Sequence, residues 1–225
     1  MKIHVLTLFP QAFPGSLDIS IIGKALSKGI AEIHVHDLKH FGEILDDTPY
    51  GGGSGMLMKT EVVHNAINRL KLEHSFKIFL SPRGIRFNQA IACAMTQIPN
   101  DIVILCGRYE GIDQRVLDHW NFHELSLGDF ILCGGEVAAL TILEACIRLL
   151  PGVMGNATSG HEESFENGLL EYNQYTKPAI WHAYDNNGEL KEYKVPEVLT
   201  NGNHKEISAH RLAESLLMTY QQKHK

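Results

Sequence analysis

Three stretches of this 225-residue chain concentrate glycine with polar side chains closely enough to hold a ligand. The first runs Asp46-Asp47-Thr48-Pro49-Tyr50-Gly51-Gly52-Gly53-Ser54-Gly55-Met56. Glycine lets a backbone approach a ligand closely and adopt positive φ, so a phosphate cradle is the first chemistry to consider. Gly55 followed by Lys59-Thr60 looks like the end of a Walker motif. That motif needs Gly directly before Lys, and here the place is Met58, so a nucleotide triphosphate site is not expected. A tight surface turn would account for some of these glycines but not for so dense a run. The second stretch is Cys106-Gly107-Arg108-Tyr109-Glu110-Gly111-Ile112-Asp113, directly after the apolar run Ile102–Leu105. An ordinary strand-to-helix turn capped by Asp113 would explain part of it. An Arg, a Tyr and a Glu in that turn favour ligand binding, because α/β proteins bind ligands at the carboxyl ends of parallel strands. The third stretch is Ser126-Leu127-Gly128-Asp129-Phe130-Ile131-Leu132-Cys133-Gly134-Gly135-Glu136. A Gly-Gly pair opening an apolar helix suits a flat or anionic ligand, and the apolar residues before it could wall an adenine. Three such loops after three strands predict one pocket.

Other reactive side chains point to less. His34, His36 and His40 lie near Asp37, but without the spacing of a metal-ligand set, and the first two read as surface residues of a strand. The cysteines, Cys93, Cys106, Cys133 and Cys146, stand singly with no Cys-x-x-Cys pair. Neither a disulfide framework nor a structural zinc site is expected, and a reducing cytoplasm is. Taken alone, Arg148 reads as a helical partner of Glu144, and Glu163 as a solvated acid.

The elements that must position these loops alternate along the first two-thirds of the chain. Strand signals at Lys2–Leu8, Ile30–Val35, Lys77–Leu80 and Ile102–Cys106 are separated by helical stretches at Ser16–Lys28, Thr60–Leu72 and Asn88–Met95. This pattern predicts an α/β fold with a parallel sheet covered on both faces. Glu136–Leu150 reads as an apolar helix stopped by Pro151-Gly152, its polar residues Thr141, Glu144 and Arg148 on one face. Residues 155–169, with three acids and no basic residue, read as a flexible linker or lid. A smaller region follows and ends in a helix, with Asn203 and Glu206 spaced as a capping box and Ile207, His210, Leu212, Leu216 and Leu217 as its apolar face.

Composition sets broad limits. The chain is 44% hydrophobic and 20% charged, with a net charge of −6, and it has no apolar run long enough to span a bilayer. The acidic balance argues against a protein that coats nucleic acid non-specifically, but leaves room for specific RNA recognition. A non-catalytic RNA-binding module would show a basic surface and stacking aromatics without a cofactor pocket. The clustered glycine loops favour an enzyme.

The motifs DDTPYGGGSGMLMK, LSPRG, CGRYEGID, SLGDFILCGGE, IRLLPGVMG, ESF…GLLEY, YTKP and NGNH occur in this order across nearly the whole chain. In them the sequence resembles the bacterial tRNA (guanine-N1)-methyltransferases of the SPOUT class. The resemblance implies a deep trefoil knot in residues 1–154, a linker at 155–169, and a small, mainly helical tRNA-binding domain at 170–225. It implies methyl transfer from S-adenosylmethionine to N1 of the guanosine just 3′ of the anticodon, in the cytoplasm, by an antiparallel homodimer with no membrane attachment. The cofactor would lie against Phe79, Leu80, Ser81 and Pro82, against Gly107, Tyr109, Glu110 and Gly111, and against Ser126, Leu127, Gly128, Asp129, Phe130, Ile131, Leu132, Gly134 and Gly135. The tRNA would meet Asp47, Gly53, Gly55, Arg108, Ser164 and His204. Arg148 would match the arginine beside the guanine. Glu163 stands where the family places its proposed base, an aspartate, and keeps the carboxylate with one more methylene. The chain ends at Lys225, short of a helical segment many members carry, which predicts fewer RNA contacts there. No metal ligands are expected from the residues, and they leave assistance by Mg²⁺ open.

Overall fold

The computed structural model describes residues 1–154 and 164–224. The chain divides into two compact units, Met1–Gly155 and Asn156–Lys225. In chain order the first contains β1 (Lys2–Thr7), α1 (Ser20–Ser27), β2 (Glu32–Asp37), β3 (Asp46–Asp47), β4 (Leu57–Met58), α2 (Thr60–Arg69), β5 (Phe76–Arg86), α3 (Gln89–Thr96), β6 (Ile102–Leu105), α4 (Gln114–His119), β7 (His123–Ser126) and α5 (Glu136–Ile147).

The main sheet has five parallel strands in the order β2-β1-β6-β5-β7. Helices cover both faces, so β6 is continuously apolar and every residue of it is buried, and all of β1 beyond Lys2 is buried too, including the polar His4 and Thr7. One face packs Ile3, Val5, Ile78 and Ile104 with residues of α1, α3 and α5, such as Ile142 and Leu143. The other packs Leu6, Phe79, Val103 and Leu105 with Val62, Val63 and Ile67 of α2 and with Val116 and Leu117 of α4. The helix expected over 136–150 ends at Ile147, and Leu150 N–H donates to Ile147 O in a tighter last turn.

The strand expected to stop at Leu80 runs on to Arg86. Its pairing with β7 shifts register between Leu80 and Ile85, so both residues face Leu125. Residues 81–84 bulge out of the ladder. Gly84 permits this, because a Cβ there would collide with the backbone of Glu124 and Leu125.

His34 and His36 are not isolated surface residues. His4, on the neighbouring strand, stacks with both rings, and its Nδ1 and His36 Nε2 share a hydrogen bond of 2.9 Å. Its Nε2 lies 3.3 Å from Asp101 Oδ2. Burial pushes the His36 imidazole down to about 4, with help from the neighbouring histidines, and burial likewise lowers His4.

The second unit has the antiparallel hairpin β8 (Ile180–Tyr184) and β9 (Leu190–Lys194), in which Trp181 faces Tyr193, and the helix α6 (His204–Lys223). This hairpin goes beyond the mainly helical region expected there. Asn203 does cap α6, accepting from Lys205 N and Glu206 N. Glu206 instead receives the Asn201 amide, so only half of the capping box forms. The inward face of α6 also differs from the apolar face expected. Ser215 and Thr219 are buried, whereas Leu212, Leu216 and Leu217 are exposed. Thr219 Oγ1 explains the inversion: it accepts from Leu170 N at 2.8 Å and donates to Ser215 O.

Candidate functional site

The carboxyl ends of β5, β6 and β7 open into one cavity of about 570 Å³. β6 and β7 contribute the loops that leave their carboxyl ends, with Ser126 as the last paired residue of β7, whereas β5 contributes the paired residues Phe79 and Leu80 and the bulge that interrupts its ladder with β7. Phe79, Leu80, Ser81 and Pro82 come from β5 and its bulge. Gly107, Arg108, Tyr109, Glu110 and Gly111 follow β6. Ser126, Leu127, Gly128, Phe130, Ile131, Leu132, Gly134 and Gly135 follow β7. Asp129 lies outside the lining and forms a 2.5 Å ion pair with Arg86, its side chain exposed. Leu57, Arg83, Ile112, Gln114, Leu125, Cys133 and Ala138 complete the wall, and none of them is among the expected site residues.

The loops are fastened to one another by backbone contacts that only glycine allows. Gly135 N–H donates to Gly107 O at 3.0 Å. A Cβ on Gly135 would stand 2.7 Å from Cys106 Cα. Gly107 presses on the Phe79 ring, where a Cβ would be 2.9 Å from Cε2. The first glycine stretch joins the same assembly. Met58 N donates to Gly111 O, Glu110 N to Met56 O, and a Cβ on Gly55 would collide with the Glu110 side chain. Its glycines therefore serve docking on the second loop as well as a turn.

The polar groups are held in defined settings. Tyr109 has φ of 59°, and its hydroxyl is held by Asp46, which with partial burial raises its proton affinity. The Cys106 thiol is pushed well up by burial and by the carboxylate of Glu136, so it stays protonated and is no nucleophile. Arg108 lies over the Phe9 ring at 4.2 Å and pairs with Glu136, a residue quoted within the third motif but given no role. An acid heading an apolar helix was the available signal.

The remaining expected residues of the first unit do not line this cavity. Asp47 lines a smaller recess of about 350 Å³ with Tyr50, Lys59 and Arg115. Gly53 sits in the same loop with φ of 126°. Arg148 is the C-cap of α5. In the second unit, Ser164 Oγ accepts from Glu171 N, and His204 is the exposed first residue of α6. Glu163 lies outside the described residues. Among the described residues, no group of three or more His, Cys, Asp or Glu side chains is arranged to hold a metal, and no helix is long and apolar enough to cross a membrane.

Comparison with known proteins places this geometry in context. The family model described as tRNA (Guanine-1)-methyltransferase TrmD matches residues 1–225. A tRNA (guanine-N(1)-)-methyltransferase of Ehrlichia canis is 45% identical over 230 residues, covering 99% of this chain and 94% of that protein. Enzymes of the same name from Wolbachia pipientis subsp. Culex pipiens and Roseobacter denitrificans are 46% and 47% identical, over 97% and 96% of this chain and 93% and 88% of their own lengths.

Proposed function

The chain belongs to the tRNA (guanine-1)-methyltransferase family, and on that footing we propose how its parts divide the reaction. It is an enzyme that methylates N1 of a guanine in tRNA. In this reading S-adenosylmethionine occupies the cavity at the ends of β5, β6 and β7, and the target is the guanosine just 3′ of the anticodon. The observation that carries the reading is the convergence of three glycine loops on one cavity of about 570 Å³. The size suits a cofactor-sized ligand. The apolar side chains of Leu127, Phe130, Ile131 and Leu132 offer a wall for an adenine, and Gly107 and Gly135 bring backbone to the cavity surface. A non-catalytic RNA-binding module has no use for such a cavity.

When bound, S-adenosylmethionine supplies an electrophilic methyl group on its sulfonium. Guanine N1 carries a proton at neutral pH and is a poor nucleophile until a base removes it. Glu163 takes that proton as the N1–methyl bond forms and the methyl–sulfur bond breaks. Negative charge moves toward O6, where the Arg148 guanidinium stabilises it. The loops contribute mainly by positioning the reactants in line. Asp47, Gly53, Gly55, Arg108, Ser164 and His204 contact the tRNA, and residues 170–225 form the tRNA-binding domain beyond the 155–169 linker.

The first unit is proposed to be threaded as a trefoil knot. In support, the chain leaving β7 at the sheet edge returns past the β5 bulge, and Gly135 bonds Gly107 at the end of β6. A cytoplasmic homodimer completes the proposal. Phe130 and Ile131, 53% and 83% exposed, are apolar side chains of the kind a second protomer would cover. Incubating the full chain with labelled S-adenosylmethionine and an unmodified tRNA transcript, then mapping the label to a position in oligonucleotide fragments and identifying the modified base by nucleoside digestion, tests the function. The expected product is N1-methylguanosine from the nucleotide 3′ of the anticodon. Methylation of any other position would refute the proposed target.

A further inference from the structure

Glu136 stands behind the cavity wall, 3% exposed, at the start of α5. A carboxylate so deeply buried is costly unless a cation and hydrogen bonds compensate it. Thr7 Oγ1, at the end of β1, donates to Oε1 at 2.7 Å while itself accepting from Phe9 N at 2.9 Å. Arg108 Nε donates to the same oxygen at 3.3 Å. Arg108 Nη2 lies 2.8 Å from Oε2, an ion pair whose angle falls short of a hydrogen bond. Charge neutralisation thus holds the guanidinium over the Phe9 ring, 4.2 Å from its centroid. From there Nη1 donates to Cys133 O at 3.1 Å. Gly134 leaves the room required, since a Cβ on it would collide with Arg108 Nε.

One connected network therefore ties the end of β1, the loop after β6 and the loop after β7. Arg108 and the carbonyl-bearing Cys133 both line the cavity, and Glu136 does not. We propose that Glu136 is a positioning residue for cofactor binding, holding Arg108 so that the two loops keep their spacing around S-adenosylmethionine. This rests on the reading that the cofactor occupies that cavity. Glu136→Gln keeps the side chain's shape and an acceptor for Thr7 but removes the countercharge. Arg108, half-buried, then gains more from water than from a neutral partner, and Cys133 O loses its donor.

Equilibrium dialysis of labelled S-adenosylmethionine against the full chain tests the inference on four proteins: wild type, Glu136→Gln, Arg108→Gln and the double variant. Each single change is expected to raise Kd about tenfold, the scale of one charge-assisted contact. The double variant should bind no worse than Arg108→Gln, because Glu136 acts through Arg108. A folded Glu136→Gln chain with wild-type affinity would overturn the proposal, as would a double variant whose loss is the product of the two single losses. A merely structural Glu136 would lower the melting temperature while leaving Kd of the folded protein unchanged, which also refutes it. If Glu136→Gln does not fold, Thr7→Val, which deletes one hydroxyl, should still raise Kd several-fold and Thr7→Ser should restore it. Wild-type affinity in Thr7→Val would then count as refutation. A wild-type chain that retains no label would overturn the cofactor reading itself, and this inference with it.

Discussion

Gly135→Ala adds a single carbon at the tightest backbone contact between two cavity loops. That carbon would stand 2.7 Å from Cys106 Cα and 3.0 Å from Gly107 N, whereas ordinary contact begins near 3.4 Å. Both neighbours are backbone at the end of the buried strand β6, so neither can rotate away. The loop after β7 must retreat by about 0.7 Å, the difference between 3.4 and 2.7 Å. The Gly135 N–H to Gly107 O bond, now 3.0 Å, would lengthen to about 3.7 Å and cease to be a hydrogen bond. Overpacking costs about 1–3 kcal/mol and the lost bond about 1 kcal/mol, so the variant should be destabilised by roughly 2–4 kcal/mol. For a chain of this size that is a melting-point fall of about 10 °C. Gly52→Ala provides the contrast: φ is +79° with nothing within 4 Å, so only left-handed strain of about 1 kcal/mol applies. Urea melts of the two variants, with S-adenosylmethionine affinity measured on the folded protein, give the comparison. Equal stabilities, or an unweakened cofactor affinity in Gly135→Ala, would refute the claim that this contact sets the loop spacing.

Acidification should weaken the first unit through the His4–His36 pair. Their folded proton affinities lie below the unfolded value, so stability is complete above about pH 6.5 and is lost as pH falls toward the His36 value of about 4. His36→Gln should flatten that slope in urea melts between pH 7 and 5, and an unchanged slope would exclude the pair as its source. Glu163→Gln should slow methyl transfer in single turnovers by about two orders of magnitude or more while barely changing cofactor binding. Glu163→Asp should keep substantial activity, and wild-type transfer by Glu163→Gln would shift attention to Glu162. Thr219→Val should destabilise the second unit by about 1–3 kcal/mol, because Leu170 N–H loses its buried acceptor; a melting curve matching wild type would show water replacing it.

The glycine loops were legible in the sequence because the demands they meet, close backbone approach and positive φ, are met by one residue type. The alternation of apolar runs likewise revealed the buried strands, since inner strands of a parallel sheet have no solvent face. The extension of β5 was hidden behind Ser81-Pro82-Arg83-Gly84, a sequence of turn formers. What lets the strand resume is the contact of Gly84 with β7, a partner some 40 residues away. The inward face of α6 departs from its leucine pattern for a related reason. Leucines suggest burial by type, whereas Thr219 is drawn inward by a backbone N–H that periodicity does not register. Glu136 was visible as a residue, but its role depends on Thr7, 129 positions earlier.

The place of β1 in the sheet has a consequence for synthesis. One of its edges pairs with β2 some 30 residues later, as in Ile3 with Ile33, but the other waits for β6, where Ile3 meets Ile102. At ordinary translation rates of about 5–20 residues per second, that second edge stays open for roughly 5–20 s. During this interval Ile3, Val5 and Leu6, fully buried in the finished protein, lie beside unpaired backbone groups. The nascent chain is therefore most exposed to aggregation before residue 105 is made, and chaperone dependence should concentrate in that window.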